Sequence, residues 1–140
     1  MMAEFSDIKI MRVITEEVTA PRNDGTPGSA LYAVPFELSD SPPAEWANAF
    51  VANWNSPPRY TSMHRPGIAR LIGNRVVLDG TTMEEVEKYH KNTLSLVLSE
   101  TNKAYREWLA RREQQRRREE ESSESHRKSV EDAAKRIKFD

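Results

Sequence analysis

After Leu109 and Ala110 the chain runs from 111 to 129 without a large apolar side chain, and the next is Val130. Residues 111–121 are Arg, Glu and Gln throughout. A segment of that kind has no face to bury, so any core must come from the residues before it. The sequence therefore predicts an α+β domain over 1–110 and a charged, partly helical or disordered tail over 111–140. A domain of about 110 residues can remove roughly 60–70% of its unfolded surface from water, enough for one core.

Composition sets outer limits. Hydrophobic residues are 37% of the 140 and charged residues 31%, too apolar for a wholly disordered chain. The net charge of -1 excludes a uniformly basic nucleic-acid coat. The absence of cysteine excludes disulfides, thiolate zinc sites and a cysteine nucleophile. No apolar run is long enough to span a membrane, and residues 1–5 lack the basic and apolar regions of a signal peptide. The expectation is a soluble cytoplasmic protein.

Residues 7–18 alternate and are β-branched, which predicts a first strand. Residues 19–28 are dense in Gly, Pro, Asn and Asp and read as a loop. Residues 30–38 predict a second strand, in which Pro35 lacks a ladder donor and is expected at a bulge or a free edge. Ser41 and Pro42 suit a helix start, and Trp46, Ala47, Phe50, Val51 and Trp54 recur with helical period. After a long connection, 68–72, Gly73-Asn74 and 75–78 predict a tight hairpin with Ala69, Leu71, Val76 and Leu78 on its core face. Thr82 and Glu85 form a capping box. A long helix should follow, its stripe running through Met83, Val86, His90, Thr93, Val97, Thr101, Ala104 and Trp108. Serines at 122–125 are expected to interrupt it before a second short amphipathic helix.

The order β-β-α-β-β-α predicts a two-layer sandwich, with helices on one face of a four-stranded antiparallel or mixed sheet. Hairpin pairing and a right-handed crossover give strand order 1-2-4-3, a circular permutation of the ferredoxin-like plait.

Residues 58–78 carry Arg59, Arg65, Arg70 and Arg75 and no acid. With Tyr60 and His64 these arginines form the candidate site for nucleic acid or another anion, since a basic face beside an aromatic ring can hold phosphate. The simpler reading is that they pair with the acidic surplus of residues 1–57. The open sheet face, with Arg12, Ile68, Arg70, Ile72, Arg75 and Val77, is a second candidate surface. The third is the stripe Val130, Ala133, Ala134 and Ile137, flanked by Lys and Arg, which suits docking into a partner's groove. Trp46, Trp54 and Trp108 are expected in the core.

No catalytic motif, metal-ligand spacing or cofactor fingerprint is present. A small enzyme using His64 or His90 would need a pocket that brings a histidine to a carboxylate or metal. The leading expectation is a non-enzymatic interaction module without cofactor. It would dock on a protein partner, or on a second copy of itself, through the tail or the open sheet face. Nucleic-acid binding through residues 59–75 is the alternative. No motif specifies a small-molecule ligand.

Overall fold

The computed structural model describes residues 5–23, 25 and 29–139. The predicted loop at 19–28 falls partly outside them, at 24 and 26–28, as does the reading of residues 1–4. The chain divides into two compact units, Met1–Tyr105 and Arg106–Asp140.

In the first unit, strands β1 (Ile10–Val13), β2 (Tyr32–Leu38), β3 (Ala69–Ile72) and β4 (Arg75–Thr81) form one antiparallel sheet of order β1-β2-β4-β3. The architecture is the predicted α+β sandwich with a long C-terminal helix. The hairpin register is the predicted one, Ile72 opposite Arg75 and Leu71 opposite Val76. Gly73 supplies a φ of 59° at its turn.

The first strand is shorter than 7–18, and Pro35 explains why. The Ile14 N–H donates to the Pro35 carbonyl at 2.9 Å. A residue's N–H and C=O point the same way along a strand, so the Pro35 nitrogen, which has no hydrogen, also faces this point. The ladder ends there, and Thr15–Glu17 form a 3-10 turn instead. Pro35 thus sits in an interior strand, where its neighbour's pairing stops, and not on a free edge.

Helix α1 is Ala44–Asn55, capped by Pro43 without a side-chain bond. It starts later than Ser41-Pro42 suggested, because a residue preceding proline is driven out of the helical region, and Pro42 precedes Pro43. Trp46, Phe50 and Trp54 on α1 are fully buried against Val34, Phe36, Leu38, Val76 and Leu78 of the sheet.

The Thr82 hydroxyl caps helix α2 (Met83–Glu85), accepting from the Glu85 N–H at 3.1 Å. The expected regular helix is then broken. Val86–His90 form a π-helical turn in which the Lys91 N–H bonds the Val86 carbonyl, five residues back. Helix α3 runs from Lys91 to Arg136. Its buried positions in the first unit are Thr93, Leu94, Val97, Thr101 and Asn102, while Ala104 is exposed.

Described by itself, the second unit is helical and exposed over most of its length. The predicted interruption at 122–125 is not there. Serine costs only a few tenths of a kcal/mol more than a good helix former. Pairs such as Arg116 with Glu113, at 2.6 Å, and Arg127 with Glu124, at 2.6 Å, contribute comparable support. Trp108 is half-buried, with the Arg112 guanidinium 4.7 Å from its ring centroid, and is not a core residue.

Candidate functional site

The four arginines of 58–78 are built into the fold in different ways. Arg75 is bonded to Glu17 at 2.7 and 2.8 Å, and Arg70 lies 3.4 Å from Asp79, which also holds Arg22. On the same sheet face Arg12 bonds Glu16 at 3.0 Å and lies 3.4 Å from Glu37. The guanidinium of Arg12 holds the Glu16 carboxyl down at about 2, far below the usual carboxylate range. This open face is therefore a mosaic of opposite charges, not a bare basic surface. Ile72 is exposed on it; Ile68, placed there by alternation, lies just before β3 begins and packs against the core.

Arg65 points elsewhere. Its guanidinium makes two 2.8 Å bonds to the Glu85 carboxylate, the bidentate geometry that suits these groups. The same carboxylate accepts from the Thr81 hydroxyl at 2.9 Å, and its Oε1 lies 3.5 Å from His90 Nε2. The Arg65 bonds hold Glu85 below its ordinary pKa despite partial burial.

His90 is fully buried, and neither ring nitrogen has a hydrogen-bond partner among the described residues. Burial pushes its pKa down, so the imidazole is neutral at pH 7. His90 is the last residue of the π turn and lies beside Trp54, whose ring centroid is 5.5 Å away. His64 lies 4.9 Å from the same indole. Its Nε2 is 2.8 Å from the Trp54 carbonyl. A carbonyl can only accept, so Nε2 carries the proton and the buried Nδ1 is left without a partner. Trp54 in turn donates from Nε1 to the Arg65 carbonyl at 2.9 Å.

The structure thus draws Arg65, His64 and His90 together around Trp54 and Glu85, and leaves Arg70 and Arg75 on the opposite sheet face. Tyr60 stands edge-on to His64, with centroids 5.4 Å apart. Arg59 is exposed, with no ion pair among the described residues. Comparison with family models, with curated proteins and with solved structures finds no match to this chain. Among the described residues no three of His, Cys, Asp and Glu converge as metal ligands, and no helix is long and apolar enough to cross a membrane.

Sequence reasoning missed Glu85 as the hub of this cluster. The capping box accounted for it, yet only the Thr82 half of that box forms, and the Glu85 carboxylate turns instead to Arg65 and Thr81. The inward turn of His90 was legible from the stripe; the π register that accompanies it has no signal in residue type. The stripe Val130, Ala133, Ala134 lies on the last turns of α3, with Ile137 just past its end.

Proposed function

We propose that the chain is a non-enzymatic interaction module that inserts the end of its C-terminal helix into a groove on a protein partner. One observation carries the reading. Val130, Ala133 and Ala134 lie on a continuous helix that runs to Arg136, and with Ile137 they take positions i, i+3, i+4 and i+7. Val130 is 53% and Ile137 60% exposed, so their apolar surface is unspent. That spacing is the one an amphipathic helix uses to anchor in a groove. Arg127, Lys128, Lys135, Arg136 and Lys138 surround the stripe, against Glu131 and Asp132. A groove with an apolar floor and an acidic rim is the complementary surface. The pairing of Arg65, Arg70 and Arg75 with carboxylates weighs against the nucleic-acid alternative, because those charges are already offset locally.

The test is a nuclease-treated pull-down from source cells with the full chain and with V130D/I137D. The reading requires a protein recovered by the unchanged chain and lost from the double variant. Equal recovery by both, or recovery of nothing, overturns it. Sedimentation of the purified chain separates a foreign partner from a second copy.

A further inference from the structure

A cleft of about 460 Å³ opens between the loop carrying Arg59, Tyr60 and Thr61 and the start of α3 at Asn92, Thr93 and Leu96. That volume suits a small organic ligand. Two of the residues that line it carry hydroxyls in an unusual state. Thr61 Oγ1 and Thr93 Oγ1 are buried and have no hydrogen-bond partner among the described residues. Thr93 itself is only 1% exposed.

The behaviour of neighbouring hydroxyls makes Thr93 stand out. Thr101 donates to the Val97 carbonyl at 2.7 Å and Ser95 to the Lys91 carbonyl at 3.2 Å, the usual bond to the residue four back. For Thr93 that residue is Tyr89, inside the π turn. The back-bond is not made, and the hydroxyl keeps its donor. A buried hydroxyl without a partner is costly, and a ligand oxygen would relieve that cost.

The remaining lining fixes the ligand's charge. Among the described residues, none that lines the cleft is acidic. Arg59 brings an uncommitted guanidinium, and Asn92 an amide with two further donors. Tyr60, 62% exposed, and Leu96 add apolar surface. The geometry points to a binding site for a small oxyanion with an aromatic group, of the class of an aryl phosphate monoester. Arg59 pairs with the oxyanion, Thr61 and Thr93 donate to its oxygens, and the ring lies against Tyr60.

The experiment is a titration of the full isotope-labelled chain, followed by backbone amide chemical shifts, with three probes: phenyl phosphate, inorganic phosphate and phenol. Phenyl phosphate should move the amides of Tyr60, Thr61, Asn92 and Thr93 saturably. Inorganic phosphate should act at the same residues more weakly, and phenol should leave them in place. R59A, at an exposed position without an ion pair among the described residues, should fold normally and weaken phenyl phosphate about tenfold or more. T93V should weaken it by a smaller factor. Unmoved amides at millimolar phenyl phosphate overturn the site. So does unchanged affinity in R59A, and so does an equal response to phenol, which would mean apolar contact alone.

Discussion

Asn102 and Ile8 bond each other twice across 94 residues of sequence. The Ile8 N–H donates to Oδ1 at 3.0 Å, and the Asn102 amide donates to the Ile8 carbonyl at 2.9 Å. Trp46 Nε1 reaches the same Oδ1 at 2.9 Å. One buried amide therefore joins the N-terminal segment, α1 and α3, with Asn102 itself 5% exposed.

Replacing that amide should be among the most damaging single changes in the fold. N102A leaves the Ile8 backbone and the Trp46 indole with buried groups unpaired, at a cost of about 1–3 kcal/mol each. Urea unfolding of N102A should show a total loss of roughly 2–5 kcal/mol with the m-value unchanged. A loss below about 1 kcal/mol would mean that water replaces the amide freely.

Glu85 should matter through what it leaves behind. E85Q keeps the shape but removes the charge that offsets Arg65, a partly buried cation. The expected loss is about 1–3 kcal/mol, less than for a fully buried pair because Arg65 retains access to solvent. The folded-state pKa of Glu85 is depressed, so its contribution is present above the ordinary carboxylate pKa and is lost as pH falls through the folded value. In E85Q the acid limb of the stability–pH curve should be shallower. A limb as steep as that of the unchanged chain would count against this assignment.

His90 gives a separate signature at milder pH. Its folded pKa lies below the ordinary 6.5, so the unfolded chain binds the extra proton first. Stability should be level above about 6.5 and decline as pH drops below it, before the carboxylates titrate. Urea midpoints between neutrality and pH 5 should show this slope in the unchanged chain and lose it in H90F. Persistence of the slope in H90F would place its source at another group.

Amide hydrogen exchange should divide α3 into two regimes. Residues 93–102 carry its buried positions and should exchange slowly, near the global unfolding rate. From about residue 111 onward the helix is held by exposed pairs and should exchange orders of magnitude faster. Uniform protection along the helix would mean that something covers its second half.

The parts of the fold read correctly from sequence are those in which one residue type has one use. Gly73-Asn74 set the β3–β4 register, and the Trp46, Phe50, Trp54 spacing set the buried face of α1. The readings failed where two requirements met in one residue. Pro42 suits a first helical position, yet the proline after it forbids the helix there. Ile14 and Val18 are good strand formers, but Pro35 across the ladder offers no donor to continue. Glu85 satisfied the capping pattern, and the local match concealed its long-range pair with Arg65. The serines at 122–125 look like a stop only if the ion pairs around them are left out.

The π turn also says something about how this cluster could arise. A turn that closes on the residue five back holds one amino acid more than a regular helix over the same rise. Removing a single residue between Val86 and His90 would restore an ordinary helix and keep Leu94, Val97 and Thr101 seated on the sheet. His90, four residues before Leu94, would stay on the inward face, while Glu85 would turn by about 100° relative to it, and their 3.5 Å approach would be lost. The extra residue thus sets the carboxylate against the buried imidazole, and a chain lacking it could keep this architecture without that pairing.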